Sequence, residues 1–460
     1  MQLLPRLCMA TGKGDGDGEA NGGSGKLATA VSSSSSTVST SSSAAAAAVS
    51  EASSSTSLPS LPTLSAAASA TLAASFVHVT TFLPLSGSTA SSSAAAAVVA
   101  AGDSLHGLVV ARPASVSLHD LSTLESTSTS DAAAATAAAA AGSVKCAAHL
   151  HHHGGGAAAV TGHQDGRLRL WRVSSRSPAN LRLAAALPTV ADRLRRFPVP
   201  SNHVTVRRHH RRLWIEHADA VSGVAASADG RLLFSVSWDK TLKIWSLPSL
   251  RCLQSLPAHD DAVNAVAVAP DGTVYTASAD KRVRVWAPRP AGDKPRRAPG
   301  KKHRPAYHLV ATLSRHTAAV NALAVGCGGQ ALYSGGNDRS VVVWEREDSA
   351  SHMVAIGALR GHRRAVLSVA CAAGGLVVSG SADQAVRAWR RAADGRGYAC
   401  VAVIEGHGAA VRSVAAAPVP APLKRPRGGG GGEEEEEWRV CSASFDGEVR
   451  VWSLRVASGL

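Results

Sequence analysis

The chain has 460 residues and a formal net charge of +15, with 45 % apolar but only 4 % aromatic side chains. This composition excludes a collagen-like or disulfide-rich chain, and the longest apolar runs are far shorter than the roughly 20 residues that cross a bilayer. The seven cysteines are widely spaced and form no CxxC pair, a usage typical of the reducing cytosol or nucleus.

The N-terminal region is dominated by Ser, Ala and Gly, and Glu51 is the only charged residue between Leu27 and Gly102. Such a segment cannot bury enough apolar surface to offset the entropy of ordering. Residues 1–70 are therefore predicted to form a disordered, low-complexity tail. An organellar transit peptide is the alternative, but the near-absence of basic residues from this stretch disfavours it.

After the tail, six segments share an Asp that is followed six positions later by a Trp. Apolar residues alternate between the two, which predicts a short, half-buried strand entered through a tight turn. The pairs are Asp165/Trp171, Asp239/Trp245, Asp280/Trp286, Asp338/Trp344, Asp383/Trp389 and Asp446/Trp452. Six of the nine tryptophans occupy this one position, so the chain contains an internal repeat.

A histidine directly ahead of an apolar strand precedes five of these pairs. These histidines are His217, His259, His316, His362 and His407. Each unit thus contains about four short strands, which cannot bury their faces alone and must pack on neighbouring units.

The order of a His or Gly-His, a strand, SxSxD and a strand ending in Trp resembles the WD40 repeat. A degenerate first unit, LVVARPASVSLHDL, has neither the Asp nor the Trp and brings the number of units to seven. The resemblance implies an all-β, seven-bladed WD40 β-propeller over residues 71–456. It also implies that a strand near Ala70–Ala74 completes the last blade and closes the ring.

The predicted blades follow one another along the chain, and three of them carry insertions. Their ranges are about 76–124, about 142–216 with a basic insertion at 174–212, 217–258, 259–315 with a basic insertion at 287–306, 316–361, 362–406, and 407–456 with an insertion at 418–437.

Three runs narrow the resemblance to the plant JINGUBANG-like WD40 proteins. The runs are LPTVADRLRRFPVPSNHVTVRRHHRRLWIEHADAVSG, AHDDAVNAVAV and SGGNDRSVVVWERED. This resemblance implies a plant regulatory scaffold without catalytic activity. The first blade departs from that family, which usually keeps a legible repeat where this chain has Ala and Ser.

The repeated His, Asp and Trp residues are predicted to be structural, because a catalytic site needs one set of unlike groups rather than the same set in every blade. The WD40 resemblance implies that the Asp accepts backbone N–H groups and pairs with the His. We predict no catalytic residue, cofactor or metal ligand. The run GDGDGEANGGSGK lacks key residues of phosphate and calcium loops, and His149–His153 is interpreted as a low-complexity loop insertion.

Two segments, Arg182–Arg212 and Arg289–Arg304, carry nearly all of the net positive charge. Counting strands places both between strands c and d of their blades, at the end of the ring opposite the Asp turns, with the His151 run and Glu433–Glu437. This face could bind RNA, DNA or phosphoinositides or direct nuclear import, although base-stacking aromatics are nearly absent. A solvated loop without a partner is the alternative. The candidate residues are Arg195, Arg196, Arg207, Arg208, Arg211, Arg212, Lys294, Arg296, Arg297, Lys301 and Lys302.

At the other end of the ring, residues directly before the turn Asp are candidates for protein docking. Trp238 and Phe445 are large aromatics of the kind that dominate binding interfaces, and Asn337 occupies the same position. The alternative for Trp238 is packing on a neighbouring blade. We therefore predict a non-enzymatic, monomeric interaction scaffold of the cytoplasm or nucleus whose partners are other proteins, with polyanion binding as the alternative function.

Overall fold

The computed structural model describes residues 61–64, 74–82, 98–101, 107–113, 115–123, 125–130, 142–150, 159–207, 210–289, 307–349, 352–392, 397–419 and 435–457. These residues form mainly antiparallel β-strands. The strands are β1 (Ala74–Phe82), β2 (Val98–Ala101), β3 (Leu108–Ala111), β4 (Val116–His119), β5 (Ser126–Ser130), β6 (Val144–His149), β7 (Ala159–His163), β8 (Leu168–Val173), β9 (Asn180–Leu187), β10 (His203–Arg207), β11 (His210–Leu213), β12 (Val221–Ala226), β13 (Leu232–Ser237), β14 (Thr241–Ser246), β15 (Arg251–Pro257), β16 (Val263–Val268), β17 (Val274–Ser278), β18 (Val283–Pro288), β19 (Tyr307–Leu313), β20 (Val320–Gly326), β21 (Ala331–Gly336), β22 (Ser340–Arg346), β23 (Met353–Arg360), β24 (Val366–Ala372), β25 (Leu376–Ser381), β26 (Val386–Arg391), β27 (Tyr398–Ile404), β28 (Val411–Pro418), β29 (Glu435–Ser444) and β30 (Val449–Ala457). The helices are α1 (Val190–Arg196) and the short 3-10 turns Pro200–Asn202, Cys327–Gly329 and Ala373–Gly375.

Seven groups of four antiparallel strands form the blades of a closed ring. Blades 1 to 6 are β2–β5, β6–β9, β12–β15, β16–β19, β20–β23 and β24–β27, and blade 7 is β28–β30 together with β1. The first strand of each blade contacts the first strand of the next, and β28 of blade 7 contacts β2 of blade 1. The prediction of an all-β, seven-bladed propeller is confirmed.

The two ends of the ring differ in the connections that they carry. Within a blade we letter the strands a to d from the ring axis outwards. Because neighbouring strands are antiparallel, the b–c and d–a connections leave one end, which we call the turn end. The a–b and c–d connections leave the other, which we call the opposite end.

The b–c turns at the turn end are tight, and the residue after the Asp adopts a left-handed conformation. Lys240 and Arg339 have φ values of 71° and 66°, and the glycine at the same position of blade 7, Gly447, has a φ of 87°. Glycine takes this conformation without a steric cost, which explains its use there.

The core lies between neighbouring blades. Between blades 2 and 3, Val160 and Leu170 pack with Leu233 and Trp245 in one cluster of buried side chains. Since both faces of a blade are covered by its neighbours, the strands carry apolar residues on both faces. The polar residues that they do bury require hydrogen-bond partners within the sheet.

An N-terminal strand closes the ring. β1 pairs antiparallel with β30, with Ala74 opposite Val456 and Phe82 opposite Val449. The closing strand was expected near Ala70–Ala74, and the structure places it at the end of that range and beyond.

Part of the predicted tail packs against the propeller. Leu64 N donates a hydrogen bond to Ala358 O at 3.0 Å, and Thr63 forms a parallel bridge with Ala358 on the outer strand of blade 5. Leu64 also packs with the core cluster of blades 5 and 6. The predicted extent of the tail therefore needs correction at residues 61–64, where Leu61 and Leu64 supply apolar side chains that the Ser-rich sequence around them lacks. The rest of the predicted tail lies outside the described residues.

The first basic segment leaves a different end of the ring from the predicted one. The outer strand of blade 2 is β9, which pairs with β8 so that Leu187 lies opposite Leu168. β9 falls inside the predicted insertion 174–212, so the arginine-rich part of that insertion follows strand d and is a d–a connection. The prediction that it precedes strand d is wrong, because the Ala-rich β9 has low β-propensity and gives no strand signal in the sequence.

The other insertions fall only partly within the described residues. Residues 290–306, which include Lys294, Arg296, Arg297, Lys301 and Lys302, lie outside them but connect strands c and d of blade 4. The two basic segments thus start from opposite ends of the ring, and a single basic face stays a prediction because residues 290–306 lie outside the described residues. Residues 151–158 and 420–434 are also outside the described residues, whereas Glu435–Glu437 begin β29 rather than belonging to the insertion 418–437.

Candidate functional site

A chain of hydrogen bonds links the turn end of blade 3 to its interior. His217 Nδ1 lies 3.0 Å from Asp239 Oδ2, and His217 Nε2 lies 2.8 Å from Ser235 Oγ. Ser235 Oγ also accepts a hydrogen bond of 2.8 Å from the indole N–H of Trp245. The carboxylate of Asp239 further accepts the backbone N–H groups of Ala218 and Thr241 at 2.8 and 2.9 Å. These bonds tie the d–a connection to strands b and c.

The same arrangement recurs in blades 4, 5 and 6. The His–Asp distances are 2.8 Å for His259–Asp280, 2.7 Å for His316–Asp338 and 3.0 Å for His362–Asp383. In each of these blades the indole N–H of the strand-c Trp donates to a strand-b hydroxyl, through Trp286–Thr276, Trp344–Ser334 and Trp389–Ser379. A buried, satisfied network of this kind fixes the geometry of a blade.

The ionisation of these groups suits a structural role. Burial would raise the pKa of Asp239, but hydrogen bonds from His217 and Thr241 outweigh burial and hold the pKa well below its ordinary value. The same balance lowers the pKa of Asp280 to about 2. Burial lowers the pKa of His217. At neutral pH the carboxylates are therefore ionised and His217 is neutral. Neighbouring groups already satisfy the hydrogen bonds of both.

Blade 7 keeps only half of this arrangement. His407 Nε2 bonds Ser442 Oγ at 2.7 Å, and Trp452 donates to the same oxygen at 3.1 Å. His407 Nδ1 has no hydrogen-bond partner in the described part of the chain. Ligand atoms of His407, Asp446 and Glu448 lie within 4.8 Å of one another, a spacing that suits a metal ion. However, the guanidinium of Arg450 donates two hydrogen bonds to Glu448, at 3.1 and 2.9 Å, and its positive charge disfavours a cation there.

Blades 1 and 2 use a histidine that the sequence reading did not identify. In blade 2, His163 Nε2 bonds Thr161 Oγ1 at 2.8 Å, and Thr161 also accepts the indole N–H of Trp171 at 2.8 Å. In blade 1, His119 Nε2 lies 2.9 Å from Ser117 Oγ. Burial lowers the pKa of both histidines to about 4. For His163 the available signal is its position, two residues before Asp165.

Asp165 itself is held differently from the aspartates of blades 3 to 6. It forms an ion pair of 3.0 Å with Arg169 and accepts the backbone N–H of Arg167 at 3.0 Å. In blade 2, Asp165 therefore binds an arginine of strand c, whereas the corresponding aspartates of blades 3 to 6 bind a histidine of the d–a connection.

Unlike side chains converge at one place, at the inner strands of blades 2 and 7. The Lys145 ammonium lies 5.4 Å from the ring centre of Trp238, and the Arg412 guanidinium lies 5.7 Å from the ring centre of Phe445. Arg412 also donates hydrogen bonds of 2.8 and 2.9 Å to the carbonyl oxygens of Val144 and Lys145. We call Lys145, Trp238, Arg412 and Phe445 the aromatic–cation cluster.

The cations of this cluster are partly removed from water. Burial, followed by the charge of Arg412, lowers the pKa of Lys145, and burial lowers the pKa of Arg412 to about 10. Trp238 and Phe445, the aromatic candidates for protein docking, are half-buried and each is covered on one side by a cation. Lys145 and Arg412 were not predicted from the sequence.

Arg412 belongs to a series of inner-strand side chains that join neighbouring blades. Asn264 donates to the carbonyl of Val320 at 2.9 Å, and Asn321 donates to that of Val366 at 2.8 Å. Arg412 makes the corresponding contact but reaches past blade 1 to blade 2. Asn321 also donates to Asn337 Oδ1 at 2.7 Å, so the third docking candidate is held by an internal contact.

The predicted basic residues have different surroundings. Arg196 pairs with Asp192 at 3.0 Å and stacks on the Trp214 ring at 4.5 Å, and Arg212 donates to the carbonyl of His217 at 3.0 Å. Arg195 and Arg211 are exposed. Arg207 ends β10, and Arg208 lies outside the described residues.

Comparison with known families agrees with this geometry. The family model "WD domain, G-beta repeat" matches residues 209–246, 250–287, 307–345, 353–390 and 398–453. The chain contains WD40 repeats. The last four matches begin in or next to the outer strand of one blade and include inner strands of the next, so each of these four repeats joins two blades. Blades 1 and 2 lie outside the matches.

Several known proteins match the chain over short stretches. Striatin-4 of Homo sapiens is 35 % identical over 77 residues, covering 16 % of this chain and 10 % of that protein. Pre-mRNA-processing factor 19 of Mus musculus is 34 % identical over 71 residues, covering 15 % of this chain and 14 % of that protein. Nuclear distribution protein PAC1 of Scheffersomyces stipitis is 28 % identical over 111 residues, covering 23 % of this chain and 18 % of that protein. The chain thus spans less than a fifth of the length of each relative. Among the described residues, no helix has the length and apolar character needed to cross a membrane.

Proposed function

We propose that the protein is a non-enzymatic scaffold that docks a partner protein at the turn end of the propeller, on the aromatic–cation cluster. The observation that carries this proposal is the cluster itself, where two half-exposed aromatic rings and two desolvated cations meet outside the repeated network. By contrast, the His and Asp side chains of the repeated network in blades 3 to 6 are hydrogen-bonded to one another. Aromatic and cationic side chains that are partly desolvated contribute most to protein interfaces.

The chemistry of the cluster indicates what a partner would present. An apolar side chain would pack against Trp238 and Phe445, and a carboxylate would pair with Lys145. A regulatory role in plants, in the cytoplasm or nucleus, is the finer form of this proposal and rests on the runs that resemble the JINGUBANG-like proteins.

The test compares the wild-type chain with Trp238→Ala/Phe445→Ala in affinity purification from a nuclease-treated extract. The expected result is a loss of more than tenfold in the recovery of one or more proteins, while the melting temperature changes little, because each cation–π contact contributes only about 0.5–1 kcal/mol. Gln164→Ala is the matched control, since Gln164 is exposed at the same turn position of blade 2. Equal recovery of every partner by the wild type and the double variant would refute the proposal.

Polyanion binding is the second candidate function, and the arginine-rich d–a connection before blade 3 favours it. Arg195 and Arg211 are exposed there, but Arg196 and Arg212 are engaged in internal contacts. If this function holds, the affinity for transfer RNA falls steeply as the salt concentration rises. The double variant Arg195→Gln/Arg211→Gln then reduces the slope of the log affinity against the log salt concentration by about 2.

A further inference from the structure

Helix α1, which follows the outer strand of blade 2, presents an apolar face to solvent. Val190, Leu194 and Phe197 are 70 %, 68 % and 66 % exposed. Phe197 directly follows the helix and keeps helical backbone angles, with φ −57° and ψ −43°. The three residues are four and three positions apart, so they lie on one face of the helix.

The opposite face of α1 buries a charged pair. Asp192 is only 2 % exposed and forms an ion pair of 3.0 Å with Arg196. Arg196 stacks on the ring of Trp214 and donates to the carbonyl of Cys252 at 3.3 Å. The helix is therefore inverted relative to an ordinary surface helix, which buries its apolar face and exposes its charges.

Several contacts fix this orientation. The hydroxyl of Thr189 accepts a hydrogen bond of 3.2 Å from Asp192 N and caps the helix. Arg193 pairs with Glu216 at 2.6 Å, and Asn202 donates to the carbonyl of Arg196 at 2.9 Å. Rotating the apolar face inwards would break these bonds, so α1 is held with that face outwards. An apolar surface held in this way, next to charged residues, is typical of an interaction site.

The charge around α1 selects among the possible occupants. Residues 190–212 contain seven arginines and a single acidic residue, Asp192, which Arg196 already neutralises. A second copy of this chain would bring the same arginines to the contact and be repelled. The face is short, and three side chains over two helical turns match the seam of one partner helix rather than a membrane surface.

We infer that α1 docks an acidic amphipathic helix of a partner protein, which covers Val190, Leu194 and Phe197 with its apolar residues and places Asp or Glu side chains towards Arg195 and Arg211. This surface belongs to the d–a connection before blade 3 and shares no residue with the aromatic–cation cluster. It therefore provides the scaffold with a second, separate docking site.

The test measures binding of a fluorescent 18-residue peptide to the full chain by anisotropy. The peptide has leucines at successive a and d positions of a heptad and glutamates beside them. One control peptide has the same composition with the leucines spread around the helix, and another has lysine in place of glutamate. The expected Kd of the acidic amphipathic peptide is at least tenfold lower than that of either control.

Two variants locate the binding. Leu194→Asp/Phe197→Asp is expected to raise the Kd at least tenfold, whereas Leu309→Asp, at an exposed apolar position of blade 4, leaves it unchanged. The Trp238→Ala/Phe445→Ala variant also leaves it unchanged, which separates this inference from the proposed function. Equal binding of the acidic amphipathic and permuted peptides would overturn the inference, and so would unchanged binding by the Leu194→Asp/Phe197→Asp variant. A dimer that Leu194→Asp dissociates, or binding to phosphatidylserine vesicles without binding to the peptide, would assign the surface to another occupant and overturn it as well.

Discussion

His316 and His407 occupy equivalent positions in blades 5 and 7, but their side chains have different partners. His316 bonds both Asp338 and Ser334, at 2.7 and 2.8 Å, whereas His407 bonds only Ser442 among the residues that the structure describes. Both are buried, with exposures of 8 % and 5 %, so truncating either leaves a similar cavity. Any difference in stability between the two truncations therefore reports on the additional bond to the half-buried carboxylate of Asp338.

We predict that His316→Ala lowers the free energy of unfolding by about 2 kcal/mol more than His407→Ala, because a hydrogen bond to a charged group contributes about 1.5–3 kcal/mol. Urea denaturation of the two variants at pH 7 measures the difference. The variant His316→Ala/Asp338→Ala serves as a control, because it also removes the carboxylate left without its partner. Equal losses for the two single variants would mean that the His–Asp bond adds nothing to stability.

His119 and His163 make stability depend on pH above the range in which the buried aspartates titrate. Burial depresses the pKa of each histidine to about 4, against about 6.5 in an unfolded chain. Between these values the unfolded state binds more protons than the folded state. The stability that each histidine contributes is therefore complete above pH 6.5 and is lost as the pH falls towards 4.

We predict that the free energy of unfolding of the wild type decreases when the pH falls from 7 to 5. In the His163→Gln variant this decrease is expected to be smaller by about 2 kcal/mol. Chemical denaturation at the two pH values provides the measurement. Gln164→Ala, which changes an exposed side chain that does not titrate, is expected to leave the pH dependence unaltered. A His163→Gln variant with the pH dependence of the wild type would contradict the assignment.

At the level of strands and helices, the sequence predicts those strands that a local sequence pattern marks. The Asp-to-Trp spacing locates strands b and c because a tight turn and alternating apolar residues mark them. The outer strand of blade 2 has neither mark: Asn180–Leu187 is rich in alanine, and a strong aromatic signal at Trp214 lies downstream. The position of the first basic segment was predicted wrongly as a result.

Contacts between distant parts of the chain carry no such signal. Arg412 donates to the carbonyl of Lys145, 267 residues earlier in the chain, and only ring closure brings the two together. The inward orientation of Asp192 in α1 likewise depends on Arg196 and Trp214. The aromatic residues of the candidate site could be predicted from their turn positions, whereas their cationic neighbours could not.

At the level of the whole molecule, the offset between repeats and blades makes closure depend on the N-terminal region. Each of the last four matched repeats contributes the outer strand of one blade and the inner strands of the next, so the last blade lacks an outer strand of its own. β1 provides it, and Phe76 and His78 contact the ring of Trp452 with centroid distances of 6.4 and 5.0 Å.

This dependence predicts unequal effects of two N-terminal truncations. Removing residues 1–73 deletes the Leu61–Leu64 contact with blades 5 and 6 but keeps β1, whereas removing residues 1–82 also deletes β1. The second truncation would leave β30 as an unpaired edge, uncover Trp452 and favour aggregation. We expect its melting temperature to fall at least 10 °C below that of the first truncation, which corresponds to a loss of several kcal/mol.

Differential scanning calorimetry and light scattering measure both effects, and a truncation of residues 1–60, which retains the Leu61–Leu64 contact, is the matched control. We expect a small fall in melting temperature when the truncation is extended from residue 60 to residue 73, and a large fall when it is extended to residue 82. This result would mean that β1 holds the ring closed. If the chain without residues 1–82 has the same melting temperature as the chain without residues 1–73, the seven inner strands hold the ring together without the outer strand of blade 7. The N-terminal region would then be free to leave blade 7 without opening the propeller.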